Sequence, residues 1–277
     1  MKIVESKFLG FCSGVNFAYN LVNKYLTKNS EVYLLKELVH NKDVNLELKR
    51  KGLKIVNEIS EIPDEKILIA PAHGISLEDE EYSKKKRLKI VKATCPLVVK
   101  SLILGKKILK EDKNLIIIGE KNHQEIKYLY SHLKSPRTYL IDLNDEIPKL
   151  DGKTGVIIQT TQSFEIYEEI KKRIKSVIKN VEFYDTICSE SLLRQKEIYQ
   201  IAKKVDLLIV IGGKNSSNTK RLYELGNKLI RTYQIENEKE IKKEWFNKVK
   251  IVGIISGTST PMQTIERVKK KCLELQL

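Results

Sequence analysis

The sequence predicts an α/β protein whose sheets are mostly parallel. Short apolar, β-branched runs alternate with amphipathic stretches of helical length along the whole chain. That alternation marks buried strands joined by crossover helices. Residues with chemical character also fall repeatedly just after the strand-like runs, where ligands collect in open α/β sheets.

In chain order, strand-like runs lie at Val32–Leu35, Lys66–Ile69, Leu88–Val91, Leu115–Ile118, Val156–Ile158, Val181–Tyr184, Leu207–Ile211 and Ile251–Ile255, with a further strand expected within residues 1–13. Each is a block of branched and apolar residues of strand length. Apolar residues at helical spacing mark Val15–Leu26, Val98–Leu109, Ser163–Ile178, Lys220–Ile230 and Thr260–Leu275. Gly14, Pro96 and Ser189 read as start signals, Thr161 or Ser163 is suited to cap the third helix, and Pro261 to open the last.

The strand ends share a character. Leu68-Ile69-Ala70 is followed by Pro71-Ala72-His73-Gly74, and Ile90-Val91-Lys92 by Ala93-Thr94-Cys95-Pro96. Gly119 through Glu125 follows Leu115–Ile118, Gln159-Thr160-Thr161 follows Val156–Ile158, and Asp185-Thr186-Ile187-Cys188 follows Phe183-Tyr184. Lys214-Asn215-Ser216-Ser217-Asn218 and Ser256-Gly257-Thr258-Ser259-Thr260-Pro261 end the series. Together these loops imply a common cleft.

Composition narrows the class. A chain of 277 residues buries a core as one large or two to three smaller domains. No apolar run approaches the ~20 residues of a membrane span. The opening Met1-Lys2-Ile3-Val4-Glu5-Ser6 meets charge too soon for a signal peptide. With four cysteines far apart in sequence, a reducing cytoplasm is expected, and metal or catalytic roles rather than disulfides. The net charge of +15 raises the question of nucleic acid, but the lysines are spread over most predicted helices and aromatics are only 7%. With no nucleic-acid module motif, the charge reads as a lysine-rich solvated surface favouring anionic ligands and acidic partners.

Cys12, Cys95 and Cys188 fall one in each third of the chain, each just before a helical pattern. A helix N-terminus favours thiolate, the form that binds metal. Three α/β units converging on one metal centre is the reading this supports, with the glycines beside Cys12 allowing close approach. Three cysteines with no fourth fit a 4Fe–4S cluster that leaves one iron open to a substrate oxygen. Zinc competes, although the close ligand pairs of structural zinc sites are absent. On spacing alone, small buried cysteines at strand ends explain the pattern equally well, and Cys272 is assigned to that reading.

The motifs GFCSGV, VHN (Val39–Asn41), AHGIS (Ala72–Ser76), ATCPLV (Ala93–Val98), QTT (Gln159–Thr161), DTIC (Asp185–Cys188), KNSSN (Lys214–Asn218) and SGTSTP (Ser256–Pro261) occur in the order seen in the 4-hydroxy-3-methylbut-2-enyl diphosphate reductase family. The resemblance runs from about Gly10 to Pro261. It implies a trefoil of three pseudo-equivalent α/β domains around a central iron–sulfur site, here 14–95, 96–189 and 190–277, the last joined by strand 1–13. The implied reaction is a two-electron reductive dehydroxylation of an allylic alcohol diphosphate to isopentenyl and dimethylallyl diphosphate. By resemblance, Cys12, Cys95 and Cys188 hold the 4Fe–4S cluster, whose open iron takes the substrate hydroxyl. Glu125 matches the proton-relay carboxylate, Thr160 the threonine that passes the proton, and His123 stands with them. His40, His73, His123, Thr160, Ser216, Ser217, Asn218 and Ser259 match the substrate-binding set, while His132 matches nothing.

The chain also departs from that family. Glu120, Asn122 and Gln124 replace histidine, glycine and proline in the loop before Glu125, which removes its rigid residues. After DTIC the chain reads SESLLRQ where the family commonly has Y-A-T-x-N-R-Q, and Lys100-Ser101-Leu102 stands in place of K-V-H. These changes leave room for a divergent paralogue, or another trefoil 4Fe–4S enzyme, acting on a related small anionic substrate. A quinolinate synthase-like enzyme, a basic nucleic-acid binder and a zinc hydrolase are the other classes considered. No nucleotide fingerprint is present, so electrons are expected from a small acidic ferredoxin or flavodoxin.

Overall fold

The computed structural model describes residues 2–28 and 31–275. β1 (Lys2–Glu5) leads into α1 (Ser13–Leu26), followed by β2 (Val32–Leu35), α2 (Lys42–Arg50), β3 (Lys54–Val56), β4 (Ile67–Ala70), α3 (Leu77–Lys85) and β5 (Lys89–Lys92). Next come α4 (Pro96–Lys110), β6 (Asn114–Ile118), α5 (Gln124–Leu133), β7 (Thr138–Ile141), β8 (Thr154–Ile158), α6 (Phe164–Val177) and β9 (Val181–Phe183). The chain ends with α7 (Ser189–Ile201), β10 (Leu207–Ile211), α8 (Ser217–Leu229), β11 (Thr232–Ile235), β12 (Ile251–Ser256) and α9 (Met262–Glu274).

Among the described residues the strands form three four-stranded sheets in which every pair is parallel. Their orders are β3-β2-β4-β5, β7-β6-β8-β9 and β11-β10-β12-β1. The three sheets are the same design, giving three similar α/β lobes. The third lobe has only three strands in its own stretch of sequence. β1 completes it, pairing Lys2 to Ile251 through Glu5 to Ile254 on β12. The N-terminal strand therefore stands where β5 and β9 stand in the other sheets.

Burial explains which elements the sequence announces. All the residues of β2, β8 and β10 are buried, because helices cover both faces of a parallel sheet. In β10, Leu207, Ile209 and Ile211 pack with Ile265 and Val268 of α9, while Leu208 and Val210 pack with Ile198, Ile201, Leu222 and Leu225 of α7 and α8. Side chains alternate across the strand, so both faces must be apolar. The edge strands β3, β7 and β11 are only partly buried and carry Lys, Thr, Tyr or Gln, which hid them from the hydrophobic pattern. α3 was hidden for another reason. Its sequence, LEDEEYSKK, has no apolar stripe and is held by a Ser76 cap, an acidic first turn and a basic last turn.

The chain divides into two units, one of Met1–Asn16, Val39–Glu47 and Ser189–Leu277, the other of Phe17–Leu38 and Leu48–Cys188. The first contains the β10–β12 sheet with β1, and the second contains the other two sheets. Within the first unit, the loops after β2 and β10 meet at Gly213. A Cβ there would lie 2.2 Å from the carbonyl oxygen of His40, so only glycine admits this approach. Gly213→Ala is expected to cost about 1–3 kcal/mol through this overpacking. The readout is a lower urea midpoint at unchanged m value. An unchanged midpoint would refute the tight contact.

Candidate active site

One hydrogen bond recurs in all three lobes. Each candidate cysteine follows the edge strand of its sheet and donates its backbone N–H to the loop after the neighbouring strand. Cys12, after β1, donates to Thr258 O at 3.0 Å, beyond β12. Cys95, after β5, donates to Ala72 O at 2.9 Å, beyond β4. Cys188, after β9, donates to Thr160 O at 2.8 Å, beyond β8. The parallel ladder thus continues past the strand ends and ties each cysteine to a loop carrying another candidate residue: Ser259, His73 or Thr160 itself.

A helix begins immediately after each cysteine, as its sequence signals require. Val15 N–H reaches the Cys12 sulfur at 3.4 Å. The N–H groups of Leu97 and Val98 likewise pull the Cys95 thiol pKa downward, but burial outweighs them, and Cys188 and Glu125 nearby add to the rise. The thiolate preference expected from helix position alone is therefore reversed at Cys95, because desolvation acts more strongly than the helix end. Cys272 differs in kind. It is fully buried among Leu207, Ile254 and Ile265, and burial pushes its thiol up to about 12.

Two residues of α7 hold the loop that carries Cys12. Arg194, buried, donates to Gly10 O at 2.9 Å, Ser256 O at 3.0 Å and Phe8 O. Glu197 accepts from Lys7 N at 2.7 Å and from the Ser6 hydroxyl. Gly10 turns there with φ +80°, a conformation other residues rarely adopt. Sequence reasoning did not single out this pair. The available signal was the Arg194-Gln195 match with the family pattern.

Glu125 is buried on the first turn of α5 and accepts from Thr160 twice, from N–H at 2.7 Å and from Oγ1–H at 2.7 Å. Both bonds favour the carboxylate. Desolvation is larger and raises the pKa to about 7. A carboxyl of that pKa can hold and release a proton near neutrality. Thr160 is not a helix cap, since Ser163 fills that role by accepting from Ile166 N at 3.2 Å. His123 caps α5, its Nδ1 accepting from Glu125 N at 3.2 Å, which assigns the ring proton to Nε2.

The loop before Glu125 lacks the family's glycine and proline and is held by hydrogen bonds. Glu120 N–H donates to Gln159 Oε1 at 3.0 Å, and His123 N–H to Glu120 O at 2.8 Å. The QTT loop therefore braces the loop that presents His123 and Glu125.

Ser216, Ser217, Asn218 and Ser259 lie at two helix beginnings, while His40 stands in the loop after β2 and His73 in the loop after β4. Ser216 caps α8, and the helix starts at Ser217, earlier than the sequence pattern indicated. Asn218 Oδ1 accepts from Ser191 Oγ at 2.9 Å, which leaves its buried Nδ2 without a protein partner. The Ser259 hydroxyl is likewise buried and unpartnered. Pro261 is the cap of α9 and not its first residue, so Ser259 lies in the loop before it. Buried donors without partners call for a ligand or an explanation. His73, Cys95, His123, Glu125, Thr160 and Cys188 belong to one unit, and Cys12, His40, Ser216, Ser217, Asn218 and Ser259 to the other.

The sequence model of the LytB protein family matches residues 3–273. The chain belongs to the LytB family. A 4-hydroxy-3-methylbut-2-enyl diphosphate reductase of Dictyoglomus turgidum is 40% identical over 97% of this chain and 95% of its own length. The corresponding protein of Campylobacter hominis is 38% identical over 98% of both chains. Among solved structures, the E-1-hydroxy-2-methyl-but-2-enyl-4-diphosphate reductase of Plasmodium falciparum superposes with a TM-score of 0.91 at 29% identity, covering 97% of this chain and 87% of that one. A second structure, of the terminal enzyme of the non-mevalonate pathway, gives a TM-score of 0.71 at 35% identity, covering 99% of each chain.

LytB family enzymes are iron–sulfur proteins, and this chain's donor set suits that chemistry. Cys12, Cys95 and Cys188 are partly accessible thiols at helix beginnings and form no disulfide, whereas Cys272 is sealed in a core. Among the described residues, no three His, Cys, Asp or Glu side chains are grouped to hold a single metal ion. The thiolates of one cluster each take a different iron, so they surround a shared cube without meeting on a single ion. None of the described helices is long and apolar enough to cross a membrane.

Glu125 gives this LytB family member a pH signature measurable without metal. Its pKa lies near 7 when folded and near 4.5 when unfolded, so the folded state binds more protons between those values. Stability from this group is fully present below about pH 4.5 and is lost as pH rises through about 7. Glu125→Gln, neutral at every pH, is expected to flatten that dependence and to exceed wild type at pH 8 by up to about 3 kcal/mol. Denaturant titrations of metal-free protein at pH 5 and pH 8 check this. Parallel curves for the two proteins would contradict it.

Proposed function

We infer that the chain is a 4-hydroxy-3-methylbut-2-enyl diphosphate reductase. It makes isopentenyl and dimethylallyl diphosphate by two-electron reductive dehydroxylation, in the non-mevalonate route to isoprenoids. Beside the family membership, one observation carries the reading. Buried Glu125 grips Thr160 through both its backbone and its hydroxyl, and the Thr160 carbonyl takes the Cys188 N–H. A proton store is thereby fastened to a candidate cluster ligand.

Cys12, Cys95 and Cys188 would hold one 4Fe–4S cluster with an open iron, one cysteine from each lobe (14–95, 96–189, and 190–277 with 1–13). When bound, that cluster supplies the electrons and a Lewis-acidic site for the alcohol oxygen. The protein supplies the proton. Protonation of Glu125 Oε2 reverses its 2.7 Å bond, so that the carboxyl donates to Thr160 Oγ1 and the threonine hydroxyl hydrogen turns to the departing oxygen. The diphosphate is bound by the unpartnered Asn218 Nδ2 and Ser259 Oγ, by Ser216 and Ser217 at the start of α8, and by His40, His73 and His123. A surface charge of +15 suits a small acidic ferredoxin or flavodoxin as donor, in a reducing cytoplasm.

Anaerobic purification with iron and sulfide analysis, followed by turnover of the allylic diphosphate with a chemical reductant, tests this function. Serine at position 12, 95 or 188 is expected to abolish or cripple the visible iron–sulfur absorption, and full absorption in any of the three would remove that residue from the ligand set. Glu125→Gln is expected to keep the absorption and lower turnover by orders of magnitude. Because the donor must be protonated, wild-type turnover falls as pH rises through about 7. Near-normal turnover in Glu125→Gln would exclude the relay.

A further inference from the structure

Glu190 is the residue of this site that neither the family pattern nor the proton relay accounts for. It stands two positions after Cys188, where the family commonly has alanine. On the first turn of α7, its Oε1 accepts from the backbone N–H of Ser13 at 2.9 Å and from the Ser13 hydroxyl. Ser13 is the residue after Cys12 and the first of α1. Among the described residues, no Lys, Arg or His pairs with this carboxylate, whose hydrogen bonds both go to Ser13.

The start of α1 carries about half a positive charge on its free N–H groups. Val15 N–H serves the Cys12 sulfur, while Ser13 N–H serves Glu190. The Glu190 carboxyl group thus shares this exposed helix end with the sulfur, and among the described residues no Lys, Arg or His forms an ion pair with it. The potential of an iron–sulfur cluster follows its net charge, its hydrogen bonds and nearby protein charges. An added anion opposes the arrival of an electron.

We propose that Glu190 is a positioning residue that tunes the cluster to a more negative potential. It makes the cluster harder to reduce and, once reduced, a stronger donor to the C–O bond. This rests on the reductase reading and on Cys12 as a cluster ligand.

The test is a redox titration of anaerobically reconstituted protein, followed by visible absorption and electron paramagnetic resonance. Glu190→Gln keeps an oxygen acceptor for Ser13 N–H and removes only the charge, and Glu190→Ala removes both. Both are expected to raise the midpoint enough to shift the reduced-to-oxidised ratio about tenfold at fixed potential, about 59 mV for one electron. Glu190→Asp retains the charge and is expected to titrate like wild type. A midpoint unmoved in Gln and Ala overturns the proposal, and so does an equal shift in Asp, which would mark geometry as the cause. Loss of the cluster in Glu190→Gln also overturns it, because removing charge alone leaves loading intact. A wild type that takes up no iron overturns the reductase reading along with this one. A loaded wild type with unmoved variants overturns this one alone.

Discussion

The hydrogen bond from each cysteine's N–H to the loop beyond the neighbouring strand is the constraint on which the rest of this protein depends. It is made by backbone, so it holds whatever side chains surround it. It also fixes each thiol relative to a second loop within the same sheet. Cys12 is tied to Thr258, Cys95 to Ala72 and Cys188 to Thr160. One geometric rule, used three times, sets three sulfurs beside three loops that carry a hydroxyl or an imidazole. Parallel sheets provide it naturally, since all strands end on the same side and successive loops there are neighbours.

The same rule accounts for the third lobe's construction. In each sheet the cysteine follows the strand at the end of the order, beside the strand that ends in the partner loop. The stretch after α7 supplies β10, β11 and β12 but not this fourth strand. β1 fills the vacancy, and the buried Arg194 and Glu197 fasten the turn that follows it. Charged side chains in the interior are costly unless their polar atoms are served. Here Arg194 serves the carbonyls of Gly10, Ser256 and Phe8, and Glu197 the Lys7 N–H and the Ser6 hydroxyl, so that the pair fastens the turn that leads to Cys12.

Burial sets the chemistry of the site against local expectation. Two strong hydrogen bonds from Thr160 favour ionised Glu125, and the helix end above Cys95 favours thiolate, yet desolvation prevails at both. For Glu125 the outcome is a proton available near neutral pH. For Cys95 it means that the thiol holds its proton more firmly than an exposed cysteine would.

Much of this was legible in the sequence. The buried central strands announced themselves because both faces are covered and every residue is apolar, as in Leu207–Ile211. The cysteines, Glu125 and Thr160 stood in motifs at strand ends, where chain order alone places ligands in an α/β protein. The edge strands β3, β7 and β11 were not legible, because one-sided burial leaves polar residues among few apolar ones. The closing role of β1, which pairs with a strand about 250 residues away, was legible only through the family resemblance, since nothing local in residues 1–13 indicates its partner. Glu125 was marked by the family resemblance, but its local pattern alone is that of an ordinary first-turn glutamate and its burial appears only in the fold. Arg194 had only its Arg-Gln match with the family pattern, and Glu197 and Glu190 had no local signal at all. Composition and periodicity record how each segment meets its own sheet. What the chain's distant parts do to one another, through desolvation, shared hydrogen bonds and uncompensated charge, exists only once the backbone has brought them together.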